Sequence, residues 1–330
     1  MGILQTIRKR LTTQYIGVMV YEDICVVNVQ KVKHEKIIFE EEKSFTLATK
    51  EKLTKEVIKY LQARQEEVEQ TYVALFLNTH GQGVVPSCDQ SIYDKFHIDY
   101  DNIKSVCIDG KYAIYASNID IKWAEKLFAD VGLDFIFSPF LILESLRKHA
   151  LRKPEGVVLY MLVGINSITV MIFKEERLLY GTFINIAREE DLLTSEFADD
   201  FMDEGDDDIL DEIDLDMELE ESEEISELLE EAGSDKKSLT QQEDDTIKLK
   251  LFGQDLRLVK YFDASLREFY DNKRYESDFV TYVKIYDGAD LNPEIVRYLK
   301  EQLLVDIEVQ KTEIDKELMK LLKQEVDVIA

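Results

Sequence analysis

The chain has 330 residues, 45% of them hydrophobic and 10% aromatic, enough to bury one large or two medium cores. A net charge of −28 with no compensating basic stripe excludes a duplex nucleic-acid binder, because such a surface repels phosphates. No run reaches the roughly 18–20 apolar residues that span a bilayer, and the first residues lack the apolar stretch and cleavage site of a secretory signal.

In chain order, Gly2 to Thr12 predicts a short helix with Ile3, Leu4, Ile7 and Leu11 on one face and a basic Arg8-Lys9-Arg10 run. Ile16 to Val32 is β-branched and broken at Glu22-Asp23, which predicts two strands and a tight turn; a third strand follows over Lys36 to Phe45. Lys50 to Arg64 has helical spacing at Leu53, Val57, Ile58 and Leu61, with Thr49 as cap. Tyr72 to Leu77 is an unbroken apolar strand of the kind covered on both faces. After Gly81, Gly83 and Pro86 the sequence is less regular. A hairpin is then predicted around Asp109-Gly110, a helix over Ile121 to Val131 stopped by Gly132, a strand over Phe135 to Phe137, and a helix opened by Pro139.

A second strand-rich unit starts at Val157, with three strands turning at Ile165-Asn166 and Glu175-Glu176. Between Glu189 and Asp235 lie 24 acids and no Lys or Arg; taken from −28, they leave −4 on the rest of the chain. Segment 189–246 has too few apolar residues to offset chain entropy and is expected to be disordered. A helix from Asp255 turns Leu258, Val259, Phe262, Leu266 and Tyr270 inward; a strand over Val280 to Ile285, a helix over Pro293 to Leu304, a strand over Val305 to Val309 and a helix over Ile314 to Lys323 complete the chain. Cys25, Cys88 and Cys107 are odd in number and without a CxxC, which reads as buried thiols in a reducing compartment. His34, His80, His97 and His149 are scattered and suggest no metal site.

The openings at Ile16 and Val157 share one layout, a long hairpin and a third strand followed by helix. That duplication resembles the actin-like (ribonuclease H-like) α/β fold, two lobes around a cleft, here 1–155 and 156–330 with the acidic insertion at 189–246. The run IYASNIDIKWAEKLFADVGLDFIFSPFLILESL, from Ile114 to Leu146, narrows the likeness. So do the basic start placed directly before the first strand and Tyr286-Asp-Gly-Ala-Asp after a later one. These resemble the PilM family, cytoplasmic actin-like proteins of type IV pilus machines related to the cytoplasmic domain of GspL in type II secretion. Residues 80–150 would then hold the family's extra subdomain.

The resemblance also implies where nucleotide chemistry should lie. Actin-like ATPases place an Asp and then a Gly in the first hairpin; here Met19 stands for the Asp, Tyr21 for the Gly and Val26 for a Lys, with Glu22 and Asp23 negative beside them. The second phosphate turn keeps Gly164, Asn166 and Ser167 but has Leu162 at the acidic position, and the third keeps Gly288 beside Asp287. Gly164 and Gly288 read either as remnants of a nucleotide cleft or, as the residues favour, as ordinary turn glycines. The expectation is a degenerate copy that neither hydrolyses ATP nor needs a cofactor, with no catalytic or metal residues. The alternative is an active ATPase using ATP and Mg through unusual cleft residues. No GxSxG, HExxH or Walker A motif points elsewhere.

By resemblance the chain would act as a scaffold at the cytoplasmic face of the inner membrane. It would join a homo-oligomeric ring, grip the amino-terminal tail of a PilN-like membrane protein and relay to a PilO-like partner. The assembly could be a pilus, a type II secretion system or, repurposed, a flagellar motor, with contacts to its ATPase. A third class, an acidic chaperone or nucleic-acid mimic, would act through the insertion.

Overall fold

Strands β1 (Thr13–Val20), β2 (Ile24–Lys33) and β3 (Lys36–Thr46) form the predicted hairpin and third strand. The computed structural model describes residues 12–150, 154–186 and 258–329, all within one compact unit. The amino-terminal helix expected up to Thr12 lies, but for that last residue, outside the described residues, as does the whole acidic segment 189–246.

The first sheet has the order β3-β2-β1-β4-β8, with β4 at Gln70–Phe76 and β8 at Phe135–Phe137. Its hairpins are antiparallel, whereas β1–β4 and β4–β8 are parallel. The second sheet repeats this with β11-β10-β9-β12-β13: Val157–Val163 (β9), Ser167–Lys174 (β10), Arg177–Asn185 (β11), Val280–Asp287 (β12) and Asp306–Lys311 (β13). Here too two antiparallel pairs lead into two parallel ones. Two sheets of identical order and sense are the duplicated architecture of the actin-like fold, as expected.

Alternation along each strand divides the core. Ile16, Val18, Val73 and Leu75 face an outer layer made by α1 (Lys55–Glu67) and α3 (Asn118–Leu127). Tyr15, Met19, Ala74 and Phe76 face inward, toward the second sheet. On that sheet Leu159, Met161 and Ile285 face a helix at 258–271 (α5) and α6 (Pro293–Leu303), while Tyr160, Leu162 and Tyr286 face inward. The space between the sheets is filled by α4 (Pro139–Lys148), which packs on β9 and β10, and α7 (Ile314–Ile329), which packs on β1. Their buried residues join those of both sheets in one cluster.

Several boundaries differ from the sequence reading, each for a local reason. α1 starts at Lys55, not Lys50: Thr54, rather than Thr49, caps it by accepting from Val57 N, and Leu53 before the cap packs with Ile58 as a hydrophobic staple. α3 starts three residues early, on the Ser117 cap, and ends at Leu127. In α5 the inward residue is Phe269; Tyr270, expected inward, is exposed, because 262, 266 and 269 continue one face. α7 runs on to Ile329, its apolar spacing held by Leu322 and Val326. The stretch after Gly81 contains a strand, β5 (Gln82–Val85), beside the predicted hairpin of β6 (Ile103–Ile108) and β7 (Tyr112–Ser117). That hairpin turns at Asp109 and Gly110 with φ of 51° and 72°, as a tight two-residue turn requires. A short helix, α2 (Ser91–Lys95), connects β5 to β6.

The cysteines also depart from expectation. Cys25 is the buried thiol predicted, but Cys107 is exposed, Cys88 is half-buried, and the two are bonded to each other. The loop after β5 and strand β6 converge across β7, a contact that residue spacing does not record.

A buried ionic cluster ties the small sheet to the rest. Arg147, 3% exposed, donates through Nε and Nη2 to both oxygens of Glu144, and through Nη2 to Glu176 in the β10–β11 turn. Its guanidinium lies 4.1 Å from the Phe173 ring centre, and the carboxylates hold its proton above the usual arginine range despite burial. Lys148 extends the cluster to Asp109 at 2.6 Å, and Lys111 reaches Glu176 at 3.8 Å, so three chain segments meet there. Arg147→Met leaves the buried Glu144 carboxylate with Lys148, at 3.4 Å, as its remaining ion-pair partner and is expected to cost about 3 kcal/mol in urea unfolding, whereas Glu144→Met with Arg147→Met restores most of it. Equal losses in the single and double variants would show that the pair contributes by packing alone.

Candidate functional site

In open α/β sheets ligands bind beyond the carboxyl ends of the parallel strands. Here the ends of β1, β9 and β12 bring the three predicted turns toward the amino terminus of α7. The first turn is closed by Tyr21 N donating to Ile24 O at 2.8 Å. In the second, Gly164 N donates to Ser167 O at 2.8 Å and Ile186 N to Asn166 O at 2.7 Å. In the third, Gly288 N donates to Val163 O at 2.8 Å, and the Asp287 carboxylate accepts from Ala289 N and Leu291 N. In each turn at least one backbone amide is thus already bonded to a carbonyl or carboxylate of the protein.

Side chains complete the closure. Met19, Tyr21 and Leu162 are buried in the cluster between the sheets together with Ile314, the first residue of α7. A first side-chain carbon on Gly288 would stand 2.7 Å from Ile314 Cδ1, and one on Gly164 3.6 Å from the same atom. Ile314 thus lies between the second and third turns. Sequence reasoning singled out Met19, Tyr21, Leu162, Gly164, Asn166, Ser167 and Gly288 but not Ile314 or its neighbour Asp315. The turn residues were legible by their place in a repeated hairpin; Ile314 opens an unremarkable amphipathic helix.

The electrostatics run the same way. Glu22, expected to place charge in the turn, instead pairs with Lys50 at 2.7 Å on the surface. Negative charge comes from α7, whose first turn carries Asp315 and Glu317, a pattern that favours the helix amino terminus but repels an anion. Burial holds Asp315 above the usual carboxylate range. Burial, with Asp315 adding, pushes the Tyr21 phenol up to about 12. Among the described residues no group of three His, Cys, Asp or Glu is placed to hold a metal ion. The residues as arranged do not fit a magnesium nucleotide: the positions where the resemblance would place the metal-organising carboxylates are the buried Met19 and Leu162, and Ile314 stands between the second and third turns.

A family model described as a domain of unknown function (DUF8569) matches residues 11–144, and one described as a domain of unknown function (DUF8341) matches residues 159–327. No curated protein matches the chain. Among solved structures, a Bacteroides thetaiotaomicron protein with actin-like ATPase fold and unknown function is 9% identical, covering 97% of this chain and 99% of its own, with a TM-score of 0.46. A PilM–PilN type IV pilus biogenesis complex is 12% identical over 91% and 88%, with a TM-score of 0.47. The ethanolamine utilization protein EutJ from Carboxydothermus hydrogenoformans is 10% identical over 94% and 89%, with a TM-score of 0.39.

Burial of Tyr21 has a pH signature. A phenol holding its proton up to about pH 12 when folded, against about 10 when unfolded, gives stability that is whole below pH 10 and is lost as pH rises through 12. Tyr21→Phe gives up only a long contact to Met19 Sδ at 3.7 Å, so stability at pH 7 should hardly change. It should remove up to about 2–3 kcal/mol of the loss between pH 10 and 12 in urea unfolding across that range. An alkaline slope unchanged by the substitution would show that Tyr21 is not closed in beside Asp315.

Proposed function

Because the chain belongs to the family described as a domain of unknown function (DUF8341) and carries the actin-like fold, we propose that it is a non-catalytic scaffold that holds other proteins. One observation carries this reading. The second and third of the turns where the resemblance would place a triphosphate close on Ile314, and in each of the three turns at least one amide is already bonded within the protein. Clearing these turns would mean moving Ile314, and displacing α7 along with it would expose Leu318, Met319 and Leu322, at about 1.5–3 kcal/mol for each side chain uncovered. An actin-like body that does not open and close around nucleotide is left with a rigid surface as its working part.

The partner follows from the sequence resemblance to the PilM family, carried by Ile114 to Leu146. We take it to be a single-pass membrane protein of the PilN kind, gripped by its amino-terminal tail, with a PilO-like protein joined through it. In that reading the chain lies at the cytoplasmic face of the membrane as one member of a ring. Among the described residues no helix is long and apolar enough to cross a membrane.

Calorimetry with ATP and ADP, with and without magnesium, should show no binding at micromolar concentrations; micromolar affinity would overturn the scaffold reading in favour of an active ATPase with unusual cleft residues. Affinity capture from membranes of the native host should then recover single-pass proteins with short amino-terminal tails. Pilus, secretion or motor proteins among them would identify the machine, and recovery of soluble proteins alone would remove the PilN-like partner.

A further inference from the structure

The bonded cysteines flank a cluster of their own under the small sheet. The cluster under the small sheet has three fully buried members among the described residues, Val85, Tyr93 and Ala113. Cys88 follows β5 by three residues, Cys107 lies on β6, and both Cys107 and Val85 are paired with Ala113 of the central strand β7. The link therefore passes across β7 and joins the loop after β5 to strand β6. Its Cα atoms are 5.5 Å apart, a separation that forms and releases a bond without backbone movement.

Between the two cysteines runs the segment that touches the second half of the fold. Tyr93 packs edge-on against Tyr100 and Tyr115, with ring centres 5.1 and 6.3 Å apart. Phe96, just past α2, lies 5.7 Å from Tyr275, which in turn meets Tyr180 of β11 at 4.8 Å. Tyr180 and Tyr275 both donate to Glu268 on α5, fixing the far side of this contact. The near side is the connection from β5 to β6, packed on Val85, Tyr93 and Ala113.

Access separates the three cysteines. Cys107 is exposed and Cys88 half-buried, within reach of a small thiol or disulfide. Cys25 is fully enclosed in the outer core of the first sheet, where burial pushes its thiol up to about 12 and keeps it inert.

We propose that Cys88 and Cys107 form a reversible thiol–disulfide pair whose oxidation fastens the Phe96 segment to the second half of the fold. The oxidant is a low-molecular-weight disulfide. One protein thiolate attacks it and releases one small thiol; the neighbouring thiolate displaces the second. The chain loses two protons and two electrons, and the small disulfide becomes two thiols. A low-molecular-weight dithiol reverses the exchange. The proposal does not depend on the nucleotide question, since no residue of the three turns takes part.

The full chain, equilibrated with glutathione disulfide or with dithiothreitol, would be alkylated and weighed by mass spectrometry. Reduced native protein should take two labels, at Cys88 and Cys107, and a third at Cys25 only on denaturation. Oxidised protein should take none when native and one when denatured. Backbone hydrogen exchange over residues 89–102 should quicken by about tenfold or more on reduction, with β1 unchanged. Cys88→Ser with Cys107→Ser should show the fast exchange in both buffers. Three thiols persisting in glutathione disulfide, or exchange over 89–102 indifferent to redox state in the wild-type chain, would overturn the proposal.

Discussion

At Gly17 a first side-chain carbon would stand 2.8 Å from Met319 Sδ and 3.2 Å from Leu318, so α7 lies against β1 at a distance that only the missing side chain permits. That close approach governs the rest of the structure. It seats Leu318, Met319 and Leu322 in the core between the sheets and brings Ile314 to Gly164 and Gly288 at the other end of the same contact. An apolar helix seated this deeply gives up a great deal of buried surface if it moves. The packing that joins the two sheets is thus the packing that closes the turns.

Electrostatics reinforce the same rigidity from the other side. Arg147 and Glu144 would each be costly alone in the interior. Together with Glu176, Lys148 and Asp109 they fix the relative positions of α4, the β10–β11 turn and the small sheet's hairpin. In a fold whose working forms are expected to flex between halves, one face is held by a helix and another by an ionic cluster. The segment around Phe96 is held differently, by the smaller cluster under the small sheet and by the contact of Phe96 with Tyr275.

Much of this was legible residue by residue. The repeat of hairpin, third strand and helix at Ile16 and Val157 predicted two sheets of one design, because strand alternation and turn residues are local properties. The apolar Met19 and Leu162 at the ends of the two first strands were equally visible. Helix starts were less so: Thr49 and Thr54 are both competent caps, and the choice fell to Leu53, whose burial only the folded sheet provides. Tyr270 was misplaced for a similar reason, since Phe269 and Tyr270 are one position apart and the sheet beneath selects between them.

The sequence by itself determined the two repeated three-strand openings, most of the faces the elements bury and the buried side chains at positions 19, 21 and 162. Tertiary structure alone decided which distant segments meet. Ile314 meets Gly164 and Gly288, Cys88 meets Cys107 and Arg147 meets Glu176 through contacts between segments whose local patterns are silent about one another. Periodicity reports which side of an element is apolar; it carries no information about which distant side chain will press against it, because that depends on how the whole chain packs.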